Sequence, residues 1–281
     1  MKIQSLSIVV PTSRCMNDCP FCVSKMHDNQ YENRFSVRQM RKRLLYAEKN
    51  GVTNVIFTGT GEAIQNKAFL RKVTLLLDEM NHPFPNVELQ TTGVLLDDLD
   101  NLRLLNYLGV NTISLSVSDI FDDTNNMKII GVPKKAQFGL KERIQLLKKE
   151  GFNIRLSLNM TSSFDGKSPE QILEKSRDLG ANQLTFRRLY TSGKNSPEDR
   201  WVEENSCDPE LIDNLDLYIK EKGNMLYELP YGSIAYSING MSTVVDLDCM
   251  NKENNQSLKY IILREDGKLY CQWDDDGSLI F

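Results

Sequence analysis

The chain has 281 residues and a net charge of −4, and 26% of its residues are charged. Lysine and arginine are spread along the chain, which disfavours binding along a nucleic-acid backbone, since that needs a basic excess. No apolar run is long enough to cross a membrane, and residues 1–10 lack the features of a signal peptide. These features predict a soluble cytoplasmic protein with one large domain, alone or with a small appendage.

Short apolar segments alternate with amphipathic ones over roughly the first 190 residues. The predicted strands are residues 6–10, 52–57, 87–90, 112–117, 154–158 and 184–186. The predicted helices are residues 36–50, 69–80, 96–108, 138–150 and 168–180. Strands that alternate with helices predict a parallel α/β sheet, either open or closed into a partial barrel. In both cases the ligand site lies at the carboxyl ends of the strands.

The pattern changes after Gly193, and we divide the chain into a core of residues 1–193 and a C-terminal extension of residues 194–281. Residues 194–205 are polar and are predicted to be a loop. A helix then begins at Asp208-Pro209 and ends near Gly223. Short strands follow, with turns predicted at Asn239-Gly240, Asp266-Gly267 and Asp276-Gly277. We expect this α+β extension to cover the mouth of the barrel, with contacts from aromatic residues such as Tyr270 and Trp273.

Three cysteines, Cys15, Cys19 and Cys22, lie within eight residues directly after the first strand. In a reducing compartment such a group indicates metal binding rather than disulfides. Three thiolates on a [4Fe–4S] cluster leave one iron without a protein ligand. That iron can chelate the amine and carboxylate of S-adenosylmethionine (SAM). One electron then cleaves the sulfonium C–S bond, and the 5′-deoxyadenosyl radical takes hydrogen from a substrate carbon.

Two other interpretations of these cysteines remain open. They can be structural thiols, or they can bind zinc with His27 as the fourth ligand. A structural zinc knuckle does not explain, however, why the cysteines follow the first strand of a six-unit α/β pattern. A non-catalytic zinc-binding α/β protein is therefore the alternative from a different functional class.

The cysteine spacing, with Phe21 directly before the third cysteine, resembles the signature of the radical SAM superfamily. The segment after the second strand resembles the Gly-Gly-Glu-Pro motif of that family, and its sequence is Gly59-Thr60-Gly61-Glu62-Ala63. The resemblance covers roughly residues 1–193. It implies a partial (β/α)6 barrel, a [4Fe–4S] cluster, SAM, and an electron donor such as flavodoxin or ferredoxin. It also implies that Phe21, Gly61 and Glu62 contribute to the SAM site.

Further positions match the family strand by strand. Thr91 begins a Thr-Thr-Gly segment that resembles the Thr-Asn-Gly segment of the family. Ser116 and Ser118 lie where the fourth strand of similar enzymes contacts the SAM ribose and carboxylate. Arg155 on the fifth strand resembles a basic position near the SAM carboxylate, a pairing that a guanidinium supports. Tyr190, just past the sixth strand, is expected to stack on the adenine.

Within the superfamily the chain is most similar to the GTP cyclase group of molybdopterin biosynthesis. The similar segments are 6–22, 61–62, 110–119, 154–160 and 263–271. That group has two more cluster cysteines well before the last one, but counting back from Cys271 reaches residues 254–258, which contain none. The GTP-binding arginines of the group correspond here to Ile8, Phe57 and residues 260–262. A triphosphate needs guanidinium groups, so we expect no GTP cyclisation.

Two kinds of substrate remain for a radical SAM enzyme, a small or nucleoside-type molecule and a peptide. The predicted barrel begins at residue 1 without a preceding leader-binding domain, which favours the small molecule. The hairpin tail favours the peptide, because peptide-modifying radical SAM enzymes also pair cysteines with a hairpin. Cys207, Cys249 and Cys271 share no short spacing, so we predict a tail without a second cluster.

Overall fold

The structure is a computed structural model, and it describes residues 3–26, 36–229, 233–246, 258–273 and 275–281. Its strands are β1 (Ile3–Val10), β2 (Asn54–Gly59), β3 (Asn86–Thr91), β4 (Thr112–Val117), β5 (Asn153–Asn159), β6 (Gln183–Arg187), β7 (Asn224–Glu228), β8 (Ile234–Ile238), β9 (Met241–Asp246), β10 (Leu258–Leu263) and β11 (Leu269–Tyr270). Its α-helices are α1 (Val23–Met26), α2 (Val37–Lys49), α3 (Lys67–Glu79), α4 (Leu99–Tyr107), α5 (Asp123–Ile129), α6 (Leu140–Lys149), α7 (Pro169–Leu179), α8 (Pro197–Asn205) and α9 (Pro209–Lys222).

All these strands form one sheet in the order β11-β10-β1-β2-β3-β4-β5-β6-β9-β8-β7. The eight strands from β10 to β9 run parallel, while β11 and the β8-β7 pair are antiparallel additions at the two ends. In the described part of the chain, β11 and β7 do not pair, so the barrel is partial and open. The predicted α/β fold and partial barrel are confirmed.

The six predicted core strands are all present, with ends that differ by no more than three residues. Local capping explains why the helix predictions were accurate. Ser36 accepts a hydrogen bond from the Gln39 amide at the start of α2. Ser168 and Gln171 form a capping box at the start of α7, which Gly180 ends in a left-handed conformation at φ 99°.

The prediction of a loop over residues 194–205 was wrong, because α8 lies within it. Ser196 and Asp199 form a reciprocal capping box, and Pro197 occupies the first helical turn. The turn predicted at Asp276-Gly277 is the start of a short 3-10 helix, Asp276–Ser278. The predicted turn at Asn239-Gly240 joins β8 to β9, and both residues have positive φ there.

The C-terminal extension contributes strands to both ends of the core sheet. β10 pairs with β1, with Ile261 opposite Leu6, and β9 pairs with β6, with Val244 opposite Thr185. The division at residue 193 therefore remains our proposal for the boundary of the core, while the sheet itself is continuous across it. No helix among the described residues is long and apolar enough to cross a membrane.

Side chains alternate between the two faces of the parallel strands. Ile8, Phe57 and Leu89 lie on the outer face and are fully buried in the main hydrophobic core with the helices. Positions between them face the inside of the barrel and are mostly polar, including Ser7 and Glu88. A parallel sheet is usually apolar on both faces, so a polar inner face indicates a ligand site.

Candidate functional site

A cavity of about 670 Å³ fills the inner face of the partial barrel. Residues from β1 to β6, β9 and β10 line it, together with residues from α1 and the tail. The wall includes charged and aromatic residues, among them Glu88, Arg155, Arg187, Tyr260, Glu265 and Trp273. The cavity reaches from the amino-terminal ends of the strands to Gly59 and Thr60, beside the cysteine loop.

The cysteine loop follows β1 and packs against the turn after β2. A Cβ on Gly61 would lie 2.6 Å from Thr12 Oγ1 and 3.1 Å from the Cα and Cβ atoms of Cys15. Real Cβ atoms essentially never approach a neighbour to 2.6 Å, so a larger residue here would displace Thr12 and press on Cys15, which favours glycine at this position. The aromatic ring of Phe21 packs on Trp201 of α8, with 5.4 Å between the ring centroids. The turn and α8 thus hold the loop on two sides.

The three thiols of the loop lie close enough to influence one another. Burial, together with the nearby sulfurs of Cys22 and Cys15, raises the pKa of Cys19 to about 12. Burial also raises the pKa of Cys15. Several soft thiolate donors at one partly buried point are stable only with a positive partner, and this donor set fits an iron–sulfur cluster.

No three Cys, His, Asp or Glu side chains surround a point for a single metal ion, as far as the structure describes the chain. A cubane requires no such point, because its three thiolates bind three different irons. His27, the fourth ligand in the zinc alternative, lies outside the described residues.

Glu62 connects the turn after β2 to the cysteine loop and to the turn after β3. Its Oε2 accepts hydrogen bonds from the Thr92 amide at 3.0 Å and from Thr92 Oγ1 at 2.8 Å. Asn17 Nδ2 donates to Thr92 Oγ1 at 2.9 Å. Burial raises the pKa of Glu62, and the bonds from Thr91 and Thr92 oppose this shift. Glu62 therefore fixes three loops relative to each other, which is a positioning role.

The predicted SAM positions after β3, β4 and β6 lie at the carboxyl ends of the strands. Thr91 Oγ1 accepts a hydrogen bond from the Gly93 amide at 2.9 Å. Ser118 accepts one from Asn159 Nδ2 at 3.3 Å, and Ser116 lies opposite Ser157 in the β4–β5 register. Tyr190 is half-buried beyond β6. Their contacts with SAM remain predictions.

Arg155 lies elsewhere, near the beginning of β5 and far from the end of that strand at Asn159. Its Nη1 donates to Glu88 Oε2, and its Nε and Nη2 donate to Gln183 Oε1 at 2.9 and 2.7 Å. The structure does not bring Arg155 together with the cysteine loop. It makes Arg155 part of a charge-neutral cluster on the floor of the cavity, and its contact with the SAM carboxylate stays a prediction.

We expect Arg155→Ala to destabilise the fold, because Glu88 would keep a buried charge without its partner. The expected loss is about 3 kcal/mol in the free energy of unfolding. Arg155→Ala/Glu88→Gln removes the orphan charge as well and should recover part of that loss. Urea unfolding of the three proteins tests this, and equal stability of both variants would contradict it. Calorimetry with SAM on the same proteins tests the predicted carboxylate contact.

Arg187, at the end of β6, was missed by the sequence-based prediction. Its side chain lines the cavity, and its buried Nε has no hydrogen-bond partner in the described part of the chain. No ion pair of Arg187 occurs there either. The alternation Gln183, Thr185, Arg187 along a strand was the available signal, because it places Arg187 on the inner face.

The tail reaches the turn after β2 through Glu265, which follows β10. Thr60 Oγ1 donates to Glu265 Oε1 at 2.6 Å. Thr60 replaces a glycine of the family motif, and its hydroxyl makes this contact. Burial raises the pKa of Glu265.

The remaining cysteines do not converge in the described residues. Cys207 is buried, and its amide donates to the Met160 carbonyl after β5. Cys271 Sγ donates to the Ser278 carbonyl at 3.4 Å, and Cys271 directly follows β11 at one end of the sheet order, away from β5. Cys249 lies outside the described residues. The absence of a second cluster stays a prediction.

We expect Cys207 to resist alkylation in the folded protein. Burial, with nearby Asp165 and Asp208, raises its pKa to about 11, and only the thiolate is nucleophilic. At about pH 8 the thiol stays protonated, and its reactivity rises only as pH approaches the pKa. Iodoacetamide labelling read by mass spectrometry should modify Cys207 after denaturation only. Equally rapid labelling before and after denaturation would contradict this assignment.

Solved structures with the same fold include several that bind SAM, also called AdoMet. A structure titled native anSMEcpe with bound AdoMet and Kp18Cys peptide aligns with 99% of this chain and 77% of its own, at 14% identity and a TM-score of 0.66. SuiB from Streptococcus suis bound to SAM aligns with 95% of this chain and 60% of its own, at 14% identity and a TM-score of 0.60.

A third structure is the coproporphyrinogen III oxidase HemN from Escherichia coli, described as a radical SAM enzyme. It aligns with 87% of this chain and 63% of its own, at 15% identity and a TM-score of 0.52. This chain thus spans about 60% of the length of SuiB and HemN. At these identities the likeness shows the fold alone. No curated protein matches the chain.

The family model of the radical SAM superfamily matches residues 9–179, more than half of the chain. The matched stretch contains the cysteine loop, the turn after β2 and strands β2 to β5. The three thiols of the cysteine loop also fit a cluster. The match therefore shows that this protein is an enzyme. The chain belongs to the radical SAM superfamily, whose members use a [4Fe–4S] cluster and SAM.

Proposed function

We propose that this enzyme takes hydrogen from a small, polar or nucleoside-type molecule held inside the partial barrel. The observation that carries the proposal is the cavity, which has a polar inner wall and extends below the level of the cysteine loop to the Glu88–Arg155 pair. A volume of about 670 Å³ offers room for a small ligand beside a cofactor.

The cluster and SAM supply, when bound, a 5′-deoxyadenosyl radical that can take hydrogen from carbon. The side chains of this chain then bind, orient and shield the reactants. Cys15, Cys19 and Cys22 are the proposed cluster ligands, and Ser118 and Tyr190 are proposed contacts of SAM. An electron donor such as flavodoxin or ferredoxin is the proposed partner, in the cytoplasm.

The charges of the wall favour a polar substrate with an acceptor or anionic group. Glu88 and Arg155 neutralise each other, and Arg264 pairs with Asp276. Arg187 has no such partner among the described residues, so its guanidinium is available to a ligand. Arg187 is half-buried, and such a cation gains from a charge-assisted hydrogen bond with a ligand.

The tail supplies part of the shield that radical chemistry needs. Tyr260 and Trp273 line the cavity and contact each other, with ring centroids 6.1 Å apart. Their rings exclude water from one side of the cavity, which limits side reactions of a reactive species. Tyr270, in contrast, is buried under Arg264 in the hairpin and donates its hydroxyl to Asp266. Of Tyr270 and Trp273, we therefore propose Trp273 as the one that contacts the substrate.

The similarity to the GTP cyclase group remains a proposal, and the cavity wall supports the exclusion of GTP. Ile8 and Phe57 face the outer hydrophobic core rather than the cavity. Their neighbours that line the cavity, Ser7, Val9 and Thr58, are uncharged as well. Strands β1 and β2 thus offer no guanidinium to a triphosphate.

The test is hydrogen transfer from candidate substrates to SAM-derived products. Reconstituted protein, a reductant and SAM deuterated at the 5′ carbon are incubated with a pool of small metabolites and nucleosides. A compound that stimulates 5′-deoxyadenosine formation supports the proposal, and so does one that gains deuterium, as it does where the hydrogen transfer is reversible. The Cys15/Cys19/Cys22 triple alanine variant is the control. Stimulation of 5′-deoxyadenosine formation or gain of deuterium by peptides alone, with neither response to any small molecule, would contradict it.

A second candidate, modification of a peptide, is favoured by one specific observation. β7 is an end strand of the sheet, and Met225, Leu226 and Tyr227 on it are exposed. Tyr227 also lines the cavity. An extended peptide can add to such a strand edge and reach the cavity, and the anSMEcpe structure contains a peptide. A peptide pool in the same deuterium assay distinguishes the two candidates.

A further inference from the structure

Glu265 holds a fixed position in the cavity wall. The hydroxyl of Thr60 donates to its Oε1 at 2.6 Å, and the Thr12 amide also donates to its carboxylate. Thr60 Oγ1 and Thr12 Oγ1 are 3.3 Å apart, and because the Thr60 proton is used on Glu265, Thr12 donates in that contact. The carboxylate is therefore positioned by the start of the cysteine loop, through Thr12, and by the turn after β2 that packs against this loop, through Thr60.

Glu265 is connected to the region of Cys15 through its two hydrogen-bond partners, Thr12 and Thr60. Thr12 precedes Cys15 by three residues, and Gly61, next to Thr60, packs against Cys15. The carboxylate of Glu265 thus belongs to the end of the cavity where a cluster on Cys15 would meet its ligand.

No lysine or arginine pairs with Glu265 among the described residues. The guanidinium of the adjacent Arg264 is engaged with Asp276 and with the carbonyls of Gln272 and Asp275. The ammonium of Lys268 lies 3.9 Å from Asp266. A half-buried carboxylate that faces a cavity and has no ion-pair partner among the described residues favours a ligand that brings an amine or a positive charge.

SAM is the cofactor of this superfamily and carries both an amino group and a sulfonium. An amino group that binds the open iron of the cluster still has N–H donors for an acceptor beside it. We propose that the carboxylate of Glu265 accepts a hydrogen bond from the amino group of SAM. The tail then completes the cofactor site, and the threonine at position 60 is present because it orients this carboxylate. This inference goes beyond the proposed function, since it concerns the cofactor and not the substrate.

The experiment is anaerobic titration calorimetry of reconstituted protein with SAM and with an analogue that lacks the α-amino group. Glu265→Gln keeps the shape and an acceptor for Thr60 but loses the charge. We expect its affinity for SAM to fall about tenfold to a hundredfold, the value of a hydrogen bond to a charged group. For the deaminated analogue, parent and variant should bind equally. Iron content should be unchanged.

Asp266→Asn is the matched control, because it loosens the same hairpin through the Tyr270 hydroxyl and does not line the cavity. It should bind SAM as the parent does. Unchanged SAM affinity in Glu265→Gln would overturn the proposal, and so would an equal loss for the deaminated analogue. A failed search for a small-molecule substrate would not alter these affinities, so the two proposals fail separately.

Discussion

Replacing Cys15, Cys19 and Cys22 together with alanine is expected to abolish cluster binding. The parent protein, reconstituted with iron and sulfide without oxygen, should contain about four irons per chain and absorb broadly in the visible range. The triple variant should contain almost none, because the three side chains are the proposed protein ligands. Burial and the nearby sulfurs of Cys22 and Cys15 raise the pKa of Cys19, which shows that the three thiols lie near one another.

The double variant Cys207→Ala/Cys271→Ala is the control for this experiment. It should keep about four irons, because Cys207 packs in the core and Cys271 bonds to Ser278. A triple variant that still holds about four irons would show that the ligand assignment is wrong. About eight irons in the parent, falling to about four in the double variant, would show a second cluster and favour a peptide-modifying enzyme.

Gly61→Ala is expected to remove most of the cluster although it changes no ligand. The added methyl would overlap Thr12 Oγ1 at 2.6 Å and crowd the Cα and Cβ atoms of Cys15 at 3.1 Å, so we expect both residues to shift. Overpacking of this kind costs about 1–3 kcal/mol, and here it displaces a ligand relative to the other two. Iron content and visible absorption after reconstitution measure the effect, and circular dichroism shows that the sheet remains.

Gly193→Ala separates this effect from a general loss of stability. Gly193 has a positive φ of 72° but no atom within 4 Å of an added Cβ. Alanine there strains the backbone without touching the cysteine loop, so the iron content should equal that of the parent. A Gly61→Ala protein with a full complement of iron would contradict the steric argument.

The core of the fold was predictable because its signals are local. A serine cap, a first-turn proline and a closing glycine mark α7, and each depends on residues a few positions apart. The cysteine loop and the turn after β2 are equally local, so the cluster ligands could be proposed from spacing alone. The α8 helix was missed since its residues are mostly polar and its capping box uses Asp199 rather than glutamate or glutamine.

Long-range pairing was not predictable from these patterns. β10 lies about 250 residues after β1 yet pairs with it in parallel, and β9 joins β6 in the same way. The sequence of a short apolar segment does not determine which other strand it will pair with. The extension was therefore expected as a cover over the barrel, whereas all five of its strands belong to the sheet, and β10 and β9 pair directly with core strands.

Charged residues of the site depend on the same long-range geometry. Arg155 was proposed as a SAM contact from its strand, but the beginning of that strand lies beside Glu88 and Gln183. Glu265 and Thr60 are 205 residues apart and meet only in the fold. A family motif identifies the backbone that binds a cofactor, but it does not identify side chains that come from elsewhere.

Reductive cleavage of SAM is the measurement that tests the central claim most directly. Reconstituted protein with about four irons per chain is incubated anaerobically with SAM and dithionite, and the products are separated by chromatography. The account predicts equal amounts of 5′-deoxyadenosine and methionine, formed only when reductant and cluster are both present. Protein with a complete, reducible cluster that binds SAM but forms no 5′-deoxyadenosine, with or without candidate substrates, would contradict it.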